Sequence, residues 1–182
     1  MARNTLSRSL HDVGLAAWFG GTLANAIALN SAASEAGDPS GTGRVVNTGW
    51  NRWAPVNAAA IGAHIIGGIG QLGANSDRIR TQRGVAGMVV AKTVLTGAAL
   101  GATAYSRVLG KKVSQHHDVP AASGTAPAAG TPDDVAKAQQ QLALLQWAVP
   151  ALTGALEVIS SFAGEQQRSS EVHKGVIDRI LR

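Results

Sequence analysis

Cysteine is absent from the 182-residue chain. That excludes disulfides, thiolate nucleophiles and thiolate-bound metals. Charge is also scarce: Asp, Glu, Lys and Arg together make 15% of the chain, against about 25% in an ordinary soluble domain. Aromatic residues are 4% and methionines number two. What is plentiful is alanine, and glycine at 22 residues, within a 45% hydrophobic composition. Arginines outnumber lysines eleven to five. This Ala/Gly/Arg usage fits a GC-rich bacterial genome. The length suffices for one domain and a tail.

The net charge of +5 raises nucleic acid as a partner. However, the basic residues gather at the ends of apolar runs and form no single stripe, which is the pattern of membrane flanks. No nucleic-acid partner is expected.

Crossing a bilayer as a helix takes about twenty predominantly apolar residues. Four segments qualify: 13–33, 53–74, 84–105 and 142–164. None holds Arg or Asp, and Lys92 and Glu157 are the only charges inside them. A soluble four-helix bundle is the alternative, and a mean hydropathy of +0.07 leaves room for it. Soluble helices nevertheless need a polar face, and these segments have almost nothing ionisable to put on one. The fold expected is therefore all-α: a four-transmembrane-helix bundle over 1–168, followed by a short amphipathic C-terminal tail at 169–182. In the tail Val172, Val176, Ile177, Ile180 and Leu181 share one face, suited to a membrane surface or a partner.

The first segment also has features of a signal peptide, with Arg3 and Arg8 before it. Its apolar run exceeds the ~7–15 residues usual there, so a retained helix is expected. The flanks give nine Lys/Arg on the N-terminal side (end A) and six on the other (end B). The excess puts both termini in the cytoplasm of a bacterial inner membrane. Trp50, Trp53, Tyr105 and Trp147 fall at or near end B, as interfacial anchors do.

Between segments, 34–52 is rich in Gly, Ser, Asp and Pro and reads as a turn-forming surface loop. Residues 75–83, "NSDRIRTQR", read as a short basic hairpin. The low-complexity stretch 113–131 reads as a flexible loop. "TPDD" at 131–134 signals a helix start, with Thr131 as N-cap and Pro132 at the first helical position.

A charge at mid-bilayer costs about 2.5–3.5 kcal/mol on insertion scales, so Lys92 requires an explanation. It lies eight residues, about 12 Å, from the end A limit of its segment. Trp18, His64 and Glu157 fall at a similar depth, one per segment. Each segment carries a polar or small-residue stripe through this level: His11–Gly14–Trp18, Asn57–Ala60–His64, Lys92–Thr96–Ala99 and Gln146–Pro150–Thr153–Glu157. Lipid cannot satisfy such groups, so they face inward. The expectation is a buried polar layer of Trp18, His64, Lys92 and Glu157, with Lys92 paired to Glu157. Each of the two snorkelling alone to end A is the alternative. Pro150 removes a helix hydrogen bond and is expected to kink the fourth helix. Gly97 and Gly101 form a GxxxG pair expected at a helix–helix contact.

Little else carries chemistry. His11 and His64 lie at unequal depths, which disfavours a bis-histidine haem. His116 and His117 are weak metal candidates on a solvated loop. No phosphate loop or hydrolase triad stands out, so no enzyme activity and no cofactor are expected.

"LHDVGLAAWFGGTL" at 10–23 resembles a helix start in the copper-resistance D family of bacterial membrane proteins. There a histidine precedes Trp-x-Gly-Gly by seven residues; here those positions are His11, Trp18, Gly20 and Gly21. The resemblance implies a link to copper handling, with His11 as the one candidate ligand it carries over. The chain lacks the Met-rich and Cys-rich segments that copper transport often uses.

The leading expectation is a non-catalytic accessory or scaffold subunit of an inner-membrane complex, or a homo-oligomer, in contact with lipid and other membrane subunits. The alternative is a small transporter or channel-like protein for a proton, metal or small solute.

Overall fold

The computed structural model describes residues 4–115 and 119–165. Four long helices dominate. α1 spans Thr5–Ala24. It continues through a π-helical turn, Asn25–Leu29, then α2, Asn30–Ala32, and a 3₁₀ turn, Ala33–Ala36. α3 spans Pro39–Ala74, α4 is the short Ser76–Thr81, α5 spans Val85–Ser114 and α6 spans Asp133–Glu165. Two short strands, β1 (Ala121–Ser123) and β2 (Ala126–Pro127), pair antiparallel between α5 and α6. The molecule is thus all-α apart from this strip.

Three helical stretches are long and apolar enough to cross a membrane: Thr5–Ala36, Val85–Ser114 and Asp133–Glu165. α3 is long enough, but its expected 53–74 span is not apolar enough, being interrupted by Asn57, His64, Gln71 and several glycines. The exposed faces are greasy: Ile66, Ile69, Val94, Leu144 and Phe162 all stand open.

Segment 34–52 is not a surface loop. α3 begins at Pro39, with Asp38 as N-cap accepting from the Gly41 N–H at 2.8 Å. Proline at N1 and a capping aspartate start a helix rather than a turn. The glycines behind them are contact points. A Cβ on Gly43 would sit 2.5 Å from the Val119 carbonyl oxygen, and one on Gly49 would run into Leu29. Nor is 113–131 one unstructured loop: α5 runs to Ser114, and Val119 and Ala121 are buried. α6 starts at Asp133, so Pro132 and not Thr131 flanks it directly. The Thr131 hydroxyl donates to the Pro120 carbonyl at 2.7 Å and accepts from the Ala128 N–H at 3.1 Å, tying the loop. The 169–182 tail, His116 and His117 lie outside the described residues.

α1 packs on α3, α5 packs on α6, and α1 joins the two pairs through α6. The closest approach is α1 on α3. A Cβ on Gly14 would lie 2.5 Å from the Ala60 carbonyl oxygen, and one on Gly67 would strike the backbone of Ser7 and His11. Gly97 and Gly101 make no such contact; both are exposed, with nothing within 4 Å of a built Cβ. The expected GxxxG contact is therefore corrected: within the chain, α1 and α3 supply the close-packed glycines. α3 and α5 touch little, and cavities lie between them.

Candidate functional site

Trp18 sits at the centre of the helix layer and is fully buried. It packs in a core of Leu15, Ala60, Ala99, Val149 and Leu156 drawn from all four long helices. Its indole N–H donates to the Thr103 hydroxyl at 3.2 Å. Thr22 donates to the Trp18 carbonyl at 2.7 Å, one turn on. Tryptophan is suited to this position, because its large apolar body fills the layer while its one donor finds a partner.

On the end A side of Trp18 lie two histidines. Gly14 and Gly67 bring α1 against α3 closely enough that the His11 and His64 rings come within 4.3 Å, centroid to centroid. Trp18 stands edge-on to His64 at 6.2 Å. Both histidines are buried. His64 Nδ1 lies 3.2 Å from the His11 carbonyl oxygen. A carbonyl only accepts, so Nδ1 carries the proton. His11 Nδ1 likewise meets the Asp12 carboxylate at 2.8 Å. With Nδ1 occupied as donor, Nε2 of each neutral ring is left as the acceptor.

His11 and His64 line a cavity of about 410 Å³ between α3 and α5. Lys92 and Gln71 line it too, and both also line an adjoining polar cavity of about 230 Å³ with Arg8, Asp12 and Ser160. Three buried polar atoms in this region have no hydrogen-bond partner among the described residues: Gln71 Nε2, Glu157 Oε1 and Ser160 Oγ. The wall toward α4 is basic. Arg78 lines it, held at 3.0 Å and 2.9 Å from Gln82 Oε1. Burial, then the like charge of Arg8, lowers the Arg78 guanidinium from its ordinary value.

The expected layer is thus partly assembled. Trp18 and His64 are in contact, and Lys92 shares the cavity with His64. Among the described residues Lys92 and Glu157 form no ion pair: Glu157 Oε1 is unpartnered there, while His11 pairs with Asp12 and Lys112 with Asp134. Equal depth on two helices does not fix which way each side chain turns. His11 and Asp12 were missing from the expected layer. The signal for His11 was the Gly14 beside it, which shortens the distance to α3. No cluster of three or more His, Cys, Asp or Glu positioned for a metal exists among the described residues.

On the end B side of Trp18 a second cavity, about 120 Å³, lies between α3, α5 and α6. Trp50, Trp53, Asn57, Thr103, Gln139 and Gln146 line it among others. A polar chain closes its rim. The Trp50 N–H donates to Asn30 Oδ1 at 3.0 Å, and Asn30 Nδ2 donates to Gln146 Oε1 at 2.7 Å. Gln146 Nε2 then donates to the Thr125 hydroxyl at 3.1 Å. Trp53, expected as an interfacial anchor, lies over Gly21, where a Cβ would collide with its ring. Pro150 sits inside α6, buried, with Thr153 donating to the Val149 carbonyl at 2.9 Å one residue before it. α3 also contains a proline, Pro55, close to this cavity.

Compared with known protein families, curated proteins and solved structures, the chain matches none.

Proposed function

We propose that the chain is a small integral membrane protein of four crossings that passes a proton or small solute between two vestibules. One observation carries this reading: cavities approach the Trp18 layer from both ends of the helices. The end A vestibule offers His11, His64 and Lys92, and the end B vestibule has amides, indoles and hydroxyls with Arg107 at its rim. Ionisable side chains within a membrane are costly and mark ion or proton pathways by default. Trp18 and its apolar neighbours are then the gate. The protein is non-catalytic and sits in a bacterial inner membrane with its N-terminus cytoplasmic.

The test is flux into liposomes holding a pH-sensitive dye, with and without an applied potential. Wild-type protein is expected to pass protons above the level of empty liposomes. Trp18→Ala is expected to raise the rate, and His64→Ala and Glu157→Gln to lower it. Indistinguishable traces from empty liposomes, wild type and Trp18→Ala would end this reading.

The unpacked α5 face favours a second reading, an accessory subunit or homo-oligomer. Val90, Val94, Gly97 and Gly101 lie open there, and small residues let another helix approach closely. Blue-native electrophoresis after mild detergent extraction checks this, and a lone 18.5 kDa species would count against it.

A further inference from the structure

The end B cavity carries more polar potential than the protein itself satisfies. Six buried side-chain atoms have no hydrogen-bond partner among the described residues, and three of them belong to residues lining this one cavity: Trp53 Nε1, Asn57 Oδ1 and Gln139 Oε1. Asn57 and Gln139 are 8% and 2% exposed. A buried polar group left unpaired loses its water without replacement, so three around one small space call for a partner that enters it. Both amides stand in the cavity wall. Their terminal torsions are broad, so a turn about the last bond presents the oxygen to the interior.

The chemistry of the partner follows from the wall. Two amide oxygens accept, and one indole N–H donates. No carboxylate lines the space, and the one cation at its rim, Arg107, is engaged with Asn51 Oδ1 at 2.8 Å. A charged guest would therefore be poorly served. Val46, Val113, Leu142 and Val149 give the space apolar walls, and Thr22, Asn47, Thr103 and Ser106 add uncharged polar groups. A volume of about 120 Å³ is on the scale of the ~150 Å³ cavity that takes one benzene ring. We propose that this cavity binds an uncharged, lipid-soluble molecule with a ring-sized apolar body and two hydroxyl groups. The hydroxyls donate to Asn57 Oδ1 and Gln139 Oε1, and one hydroxyl oxygen accepts from Trp53 Nε1. The site asks only for binding, so it stands or falls apart from the conduit reading.

The test uses the full chain in lipid nanodiscs and two probes of one carbon skeleton, resorcinol and 1,3-dimethoxybenzene. The second keeps the ring and loses both donors. Resorcinol is expected to raise the thermal midpoint saturably and quench tryptophan fluorescence over the same range. Dimethoxybenzene is expected to need at least tenfold more. Asn57→Leu and Gln139→Leu, close in volume and without acceptors, are expected to abolish the resorcinol response. Equal responses to the two probes would mean mere apolar partitioning and overturn the site, as would no saturable response to either. Unchanged resorcinol binding by folded Gln139→Leu and Asn57→Leu would also overturn it. If those variants fail to fold, the two probes on wild-type protein decide alone. Flux is measured separately, so a failed conduit leaves this result intact.

Discussion

At the scale of single residues, glycine divides into two kinds that the sequence does not label. Gly14 and Gly67 are places where one helix backbone meets another, and the atoms a Cβ would meet there are backbone atoms that cannot turn aside. Gly97 and Gly101 face open space. Gly14→Ala is therefore expected to destabilise the protein by the ~1–3 kcal/mol typical of overpacking, and to separate His11 from His64. Gly97→Ala is expected to be neutral or to stabilise by up to about 1 kcal/mol, since alanine is the better helix former. Thermal unfolding of both variants in one detergent checks the pair, and equal losses would contradict the helix contacts described here. The buried threonines also divide by partner. Thr103 serves the Trp18 indole, so Thr103→Val leaves that donor unpaired in a dry layer. If Trp18 is the gate, this variant leaks in the liposome assay.

At the scale of elements, the deciding feature is where α3 begins. Asp38 caps it and Pro39 fills its first position. Asp38→Ala is expected to cost about 1 kcal/mol and to speed amide exchange over residues 41–44; unchanged exchange there would mean that the cap contributes nothing. The helical class was legible from periodicity and composition, but four spans were expected where apolarity marks three, the 53–74 segment falling short. His64 and Trp18 both lie buried at one level, as their spacing implied. The start of α3 was not legible, because Gly41, Gly43 and Gly49 read as turn residues when they are packing residues. The same ambiguity placed Gly97 and Gly101 at a contact they do not make. The ion pair between Lys92 and Glu157 failed for another reason: residue spacing gives depth and face on a helix but not the rotamer that brings two long side chains together. Thr131 shows a local signal losing to tertiary structure. Its hydroxyl ties the preceding loop, donating to the Pro120 carbonyl and accepting from the Ala128 N–H, and α6 starts at Asp133.

At the scale of the whole molecule, the four proposed crossings turn on α3. Apolarity marks three, while packing runs α3 alongside α1 from end to end. Because the chain has no cysteine, single introduced cysteines report directly. Ser34→Cys and Ser76→Cys flank α3 at its two ends. Four crossings predict that an impermeant maleimide added to intact cells labels position 34 and not position 76. Labelling of both from one side would leave α3 on the surface and remove the two-vestibule reading. At 36 and 33 residues, α3 and α6 run about 50 Å each at 1.5 Å per residue, some 20 Å more than a hydrocarbon layer of ~30 Å. The surplus of α6 is occupied at end B, where Val135 and Ala138 join Leu109, Val113 and Val119 in a second small core. That knob and the shaft through the lipid belong to one continuous helix, with Pro150 set between them. Anything that grips the knob from outside reaches Leu156, packed in the core with Trp18, only across the hydrogen bond that Pro150 removes.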